Sequence, residues 1–246
     1  ADDNGHYEKS TVFLEGLNFP TGVMAWDKGI LVSAAPDIIY AEDTNGDGRA
    51  DVRRVLFTGF SEGNQQHRMN GFALGLDNWI YAANGDSGGI VKSLVTNQKV
   101  NIAGLDFRFK ITGELETVAG QTQFGRWRDD WGNWFGNNNP NWVWHYHIPI
   151  RYLARNQYLP VPATRRNTFS SNRLFPISPR MKRPNMPHAY GRVTSANSAS
   201  PYRGGSFLEV DPSFARSVFI SEPVHNLVHR EVLEPDGVSF KGRRAK

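Results

Sequence analysis

Four groups of residues in this sequence have types and spacings that suit chemistry. The first is His67, set between Gln66 and Arg68 in a polar loop that runs into the apolar stretch Phe72–Leu76. Histidine ordinarily titrates near working pH, so a loop imidazole can serve as a general base; the alternative is a hydrogen-bonded loop histidine. The second is Asp43-x-Asn45-x-Asp47-Gly48-x-x-Asp51, with oxygen side chains at loop positions 1, 3, 5 and 9 and glycine at 6. That is the first part of a calcium loop. Arg54 stands where an EF-hand has its bidentate glutamate, and the same residues would also suit an Asx-rich turn whose carboxylates cap their own amides. The third is His145 and His147, which share a face if the segment is a strand; they could begin a metal site, but no third ligand is identifiable. The fourth is His225 and His229, four apart, which would align them on a helix; Pro223 and Leu227-Val228 suit a turn entering a strand equally well.

Other chemistries are excluded. The chain has no cysteine, so disulfides, thiolate metal sites, a cysteine nucleophile and covalently held c-type haem are absent from it. There is no Gly-x-Ser-x-Gly nucleophile elbow, and Gly85-Asp86-Ser87-Gly88-Gly89 reads as a glycine-rich turn. The net charge of +4 is concentrated in 151–192 and after Lys241. A solvated basic surface accounts for it, and without a nucleic-acid-binding motif no nucleic-acid partner is expected. No apolar run approaches the ~20 residues of a membrane helix.

The elements that must position these residues are strands. Gly22–Trp26, Ile30–Ser33, Ile38–Ala41 and Arg53–Phe60 are short β-favouring runs, separated by Asp27-Lys28-Gly29, Ala35-Pro36-Asp37 and the polar turn from Thr44 to Arg49. The pattern Trp26-Asp27-Lys28-Gly29-Ile30-Leu31-Val32 returns as Leu76-Asp77-Asn78-Trp79-Ile80-Tyr81-Ala82, about 50 residues later. A four-stranded sheet that cannot bury both faces alone needs a neighbour on each side. The expected fold is therefore all-β, a β-propeller of four-stranded blades spanning 1–246. Further pairs are expected between Asp106–Ile111 and Leu115–Ala119, and between Ser217–Ser221 and the run around Val232. Residues 121–141 and 160–187 break the repeat and read as long loop insertions. Trp127, Trp131, Trp134, Trp142 and Trp144 would either stack on sugar rings or fill blade interfaces.

The segment Gln65–Tyr81, with its histidine, a glycine eight residues on and an aspartate ten on, resembles the catalytic-histidine segment of soluble sugar dehydrogenases that use pyrroloquinoline quinone (PQQ). Phe19-Pro20-Thr21-Gly22, Asp43–Asp51, Leu56–Phe60, Gln121–Gly125, Asp130–Gly136 and Glu222–Arg230 resemble, more closely, the membrane-bound-dehydrogenase propellers of planctomycete-type bacteria, which often carry a CxxCH cytochrome domain further along. The resemblance implies a quinone-dependent oxidoreductase acting on a sugar or other alcohol. His67 would be the base, and Gln66, Arg68, Asn138, Asn139 and Arg192 would line the cofactor site. Asn138 in Gly136–Pro140 stands where the sugar dehydrogenases place a cofactor arginine. It also implies calcium at Asp43, Asn45, Asp47 and Asp51, a periplasmic or secreted location, and electron transfer to a haem domain outside this chain. With about six blades in the closed propeller, this chain would be incomplete, finished by a further segment or a second chain. The alternative is a non-catalytic propeller that binds glycans or a partner protein.

Overall fold

β-Branched and aromatic runs between Gly, Asn and Asp turns fold here into antiparallel meanders. The computed structural model describes residues 5–156, 158, 163–176, 179, 187 and 191–245. The first meander is β1 (Gly22–Trp26), β2 (Gly29–Ala34), β3 (Asp37–Glu42) and β4 (Val52–Phe60). The second is β5 (Asn70–Leu74), β6 (Ile80–Ala83), β9 (Asp106–Phe109) and β10 (Leu115–Val118). Between β6 and β9 the hairpin of β7 (Gly89–Ser93) and β8 (Lys99–Asn101) leaves its own sheet and pairs with β4, so the first sheet has six strands. The third is β11 (Trp127–Arg128), β12 (Trp134–Asn138), β13 (Asn141–His145) and β14 (Arg166–Asn167). The fourth is β15 (Asn197–Pro201), β16 (Ser217–Glu222), β17 (Leu227–Asp236) and β18 (Ser239–Arg244). The protein is all-β, built as four antiparallel sheets of four to six strands.

The internal repeat marks equivalent places. Asp27 and Asn78, both with positive φ, turn β1 into β2 and β5 into β6. The expected pairs form as β9 with β10 and as β16 with β17, where Ser217 faces Val232. One expectation is corrected. Residues 121–141 are not a loop insertion, because β11 and β12 form within them and start the third sheet. Glycine and asparagine hide the strand pattern there: Gly136 has no side chain because a Cβ would lie 2.6 Å from the Tyr146 hydroxyl. Of 160–187, residues 163–176, 179 and 187 are described, and β14 forms within them; the rest lies outside the described residues.

The sheets pack face to face. Leu31, Ile38 and Phe57 of the first interlock with Phe72, Ile80, Phe107 and Phe109 of the second, with Phe57 and Phe109 edge to face at 5.2 Å. Phe135, Trp142 and Val143 of the third meet Ala199, Val218, Ile220 and Leu233 of the fourth. The second and third meet around a buried ion pair, Arg126 to Asp106 at 3.0 Å, rather than through aliphatic side chains alone. Leu14 and Leu17 cover Val32, Ala34 and Ile39 on the far face of the first sheet.

The leading strands β1, β5, β11 and β15 enter their sheets in the same sense and together line open space. At their starting ends, Thr21, Gln66, Arg68, Asn70, Gly125 and Ser198 surround a cleft of about 420 Å³. At their finishing ends, Met24, Leu74, Arg128, Pro201 and Arg203 surround a second cleft of about 360 Å³. Trp127 lines both. Gly71 permits this convergence: its φ is +67°, and a Cβ there would lie 2.5 Å from the Gly125 Cα.

Candidate functional site

His67 ends a single 3-10 turn, Gln65–His67, placed just before β5. Asn64 caps the turn, its side chain accepting from Gln66 N at 3.0 Å and its carbonyl from His67 N at 2.9 Å. After β6 the chain turns at Asn84-Gly85-Asp86, where the Asn84 side chain accepts from Asp86 N at 2.6 Å and Gly85 N donates to Thr122 O at 3.0 Å. This brings the Asp86 carboxylate beside the imidazole, Oδ2 lying 3.8 Å from His67 Nδ1. The other Asp86 oxygen accepts from the Gln121 side chain.

The opposite ring nitrogen meets Gln123. The Gln123 Oε1 accepts from the Asn139 peptide N–H at 3.2 Å, which leaves its NH2 group to donate to His67 Nε2 at 3.1 Å. A backbone donor cannot reverse its role, so this bond fixes the amide orientation and with it the tautomer. His67 Nε2 carries the lone pair and Nδ1 carries the proton, facing Asp86. A carboxylate on one side and an accepting nitrogen on the other is the arrangement of an oriented general base. The histidine side chain is 28% exposed and Asp86 36%.

The other expected site residues divide. Gln66 and Arg68 line the cleft beside His67. The Arg68 guanidinium donates to Glu62 O at 2.8 Å and Asn18 O at 3.4 Å, and lies 5.4 Å from the Phe19 ring centre. Asn139 is joined to His67 through Gln123, by its peptide rather than its side chain. Asn138 instead accepts from Asn141 Nδ2 at 2.6 Å within the β12–β13 turn. Arg192 is exposed, on an isolated bridge to Arg173. Asp86, Gln121 and Gln123 were not legible as site residues. Gln121 and Gln123 flank Thr122, and that alternation was the available signal.

The acidic loop folds on itself. Asp43 accepts from Gly46 N at 2.7 Å and Gly48 N at 2.8 Å, Asn45 from Asp47 N at 2.9 Å, and Asp47 from Arg49 N at 2.8 Å. Asp51 accepts from the Thr44 amide and hydroxyl. These amide donors, Gly48 foremost, hold the Asp43 carboxyl below its ordinary value. Among the described residues no group of three or more His, Cys, Asp or Glu is arranged to hold a metal. Each of these side chains caps an amide, so the hydrogen bonds of an Asx-rich turn account for the shape of the loop. Asp43→Ala is expected to lower the melting temperature equally with and without millimolar calcium. A calcium-induced rise in the wild type that Asp43→Ala abolishes would contradict this.

His145 ends β13 and His147 lies beyond it, so the two do not share a strand, although their ring centres are 6.1 Å apart. His145 Nδ1 meets Ser239 Oγ at 2.9 Å. Burial, reinforced by the charge of His147, pushes the His145 pKa down from 6.5 to about 4. Between those values the unfolded chain binds a proton that the folded chain refuses, so stability falls as pH drops through that window. The expected loss is about 2–3 kcal/mol. Denaturant titrations at pH 7 and 4 should show that part of the slope vanish in His145→Gln. His225 sits in a separate 3-10 turn, Pro223–His225, with Nδ1 3.0 Å from a buried Glu222 oxygen, while His229 lies on β17 stacked on Trp142 at 4.2 Å. They do not form a common site on a helix.

PQQ is a polycarboxylate and needs cationic partners. Arg68 is the one cation lining the cleft beside His67, and its guanidinium is bonded to two peptide carbonyls. The described residues do not fit that cofactor here.

No curated protein and no solved structure matches this chain. The family described as a domain of unknown function, DUF7133, matches it across residues 1–246. With the match covering its whole length, the chain belongs to the DUF7133 family.

Proposed function

We propose that the four sheets are blades of a β-propeller arranged around the space lined by β1, β5, β11 and β15, and that the cleft at the His67 end binds a sugar or other alcohol. The observation that carries this is the chain Asp86–His67–Gln123–Asn139, which orients an accepting imidazole nitrogen between Gln66 and Arg68, two residues that line a cleft in the usual size range for small ligands. A substrate hydroxyl displaces the Gln123 amide from Nε2 and gives its proton to that nitrogen. The Asp86 carboxylate then faces the imidazolium and stabilises it. Gln66, with the Phe124 ring, offers polar and apolar contacts to a pyranose.

In the dehydrogenase reading the same step would accompany hydride transfer from the carbinol carbon to a quinone, a two-electron acceptor that would pass its electrons singly to a haem domain outside this chain, in a periplasmic or secreted setting. A further segment or second chain would complete the ring of blades. The poor fit to a polycarboxylate quinone favours a second reading, a propeller that binds glycans without oxidising them. Calorimetry with a panel of sugars and polyols tests the shared claim. Dye reduction with the same panel, with and without added PQQ and calcium, separates the two readings. If no sugar or polyol binds at all, both fail.

A further inference from the structure

The cleft at the finishing ends of the leading strands has a different chemistry from the one beside His67. Its walls are apolar where Met24, Phe72, Leu74 and Pro201 converge, with the Trp127 indole shared between the two clefts. The charged groups in its lining are Arg128 and Arg203; among the described residues no carboxylate lines it, and Asp130 pairs with Arg203 from outside the lining.

Both guanidiniums are held in place. Arg128 Nε donates to Leu74 O at 2.7 Å and its NH1 to Asp129 O at 3.0 Å, bonds to neutral carbonyls that orient the group without cancelling its charge. Arg203 Nε donates to Asp130 Oδ1 at 2.6 Å, which fixes the planar group by one edge. Ser200 adds a hydroxyl to the wall. Asp129, the other acid nearby, has its carboxylate taken up by the N–H groups of Trp131 and Asn133 and by the Asn133 side chain. The mouth is therefore rich in donors and poor in acidic acceptors, and it complements an anion that carries acceptors. Carboxylate is the anion whose geometry a guanidinium matches edge to edge.

The aromatic groups indicate what the carboxylate is attached to. Trp127 forms a wall, and Trp131, on the same β11–β12 turn as the Asp130 that anchors Arg203, is 73% exposed. Trp131 is not part of the lining, but an exposed indole on the turn that carries Asp130 can stack on the C–H face of a sugar ring that extends out of the cleft. The volume, about 360 Å³, admits such a ring.

We propose that this second mouth is a binding site for a carboxylated sugar, a uronate residue, with Arg128 and Arg203 holding the carboxylate and Trp127 and Trp131 contacting the ring. The site stands at the opposite ends of the leading strands from His67 and does not depend on the chemistry assigned there.

Calorimetric titration of the whole chain with glucuronate, glucose and acetate tests it. Glucuronate is expected to bind at least about tenfold more tightly than either glucose, which lacks the carboxylate, or acetate, which lacks the ring. Added salt should weaken it, since partly exposed charge pairs are screened. Arg203→Gln and Trp131→Ala, both at exposed positions, should each reduce glucuronate affinity several-fold while leaving the melting temperature unchanged. His67→Ala should leave it unchanged as well. Equal binding of glucose and glucuronate, equal binding of acetate and glucuronate, no glucuronate binding, or unaltered affinity in Arg203→Gln and Trp131→Ala would each overturn the proposal. A loss of glucuronate binding in His67→Ala alone would place the ligand at the other mouth and overturn it equally.

Discussion

Arg126→Ala is expected to lower the free energy of unfolding by about 3–5 kcal/mol, the range for leaving a buried charge without its partner. The side chain is 2% exposed and its Asp106 partner 0%. Its NH1 also donates to Ala119 O at 2.8 Å, and aromatic rings enclose it, Tyr146 at 4.4 Å and Trp134 at 5.1 Å. Alanine removes the cation and leaves the Asp106 carboxylate sealed between the second and third sheets. Burial, with the Asp106 charge, pushes the Tyr146 hydroxyl far above its ordinary pKa, so that phenol stays neutral and supplies no countercharge. Denaturant unfolding of Arg126→Met, Asp106→Asn and the pair together checks the cause. The double variant is expected to cost less than the sum of the singles, because neither charge is then stranded. Strict additivity would show that the two groups act independently.

The same pair organises the candidate site. Asp106 Oδ1 accepts from Asn84 N at 3.1 Å and from Thr122 N at 2.9 Å. Those peptides stand two residues from Asp86 and one from Gln123, the groups on either side of the His67 ring. The buried charge thus pins both strand ends that set the tautomer. A cation so placed is consistent with the polar second-to-third interface where the other two inter-sheet cores are apolar.

His67→Ala is the second large effect. If the imidazole is the base of a sugar or alcohol oxidation, its loss should reduce kcat by about 10²–10⁴-fold while KM changes little, since proton transfer to a positioned side chain acts on the transition state. Asp86→Asn should cost less. Its contact with Nδ1 is 3.8 Å long and both groups are partly exposed, so solvent screens part of the interaction. Steady-state dye reduction checks both. Activity that survives His67→Ala would reject the base assignment, and no dye reduction in the wild type with any member of the panel would leave glycan binding as the remaining reading.

The first meander was legible to within a residue or so at each strand end, because its runs are apolar and its turns carry Gly, Pro and Asp. The echo of Ile30 in Ile80 was also a true equivalence, each lying in the second strand of its sheet. The start of the third sheet was hidden. Trp134–Asn138 has only two large apolar residues, and its glycine and asparagines read as loop although Gly136 and Asn137 are buried. His67 was recognisable from its loop context. Its partners were not, since Asp86 lies 19 residues away in a glycine-rich turn and Gln123 56 residues away in the loop that leads into the third sheet. Side chains that meet only because separate sheets converge leave no local spacing to read. The acidic loop offered both a calcium and an Asx-turn reading, and only the amide contacts distinguish how its oxygens are used.

The most direct test of the central claim is the nitrogen-15 long-range spectrum of the His67 ring, recorded while the sugar and polyol panel is titrated in. The free protein should show a neutral ring protonated at Nδ1, and at least one ligand should shift the Nε2 resonance as its hydroxyl replaces the Gln123 amide. A ring protonated at Nε2, or an Nε2 signal unmoved by every member of the panel, would contradict it.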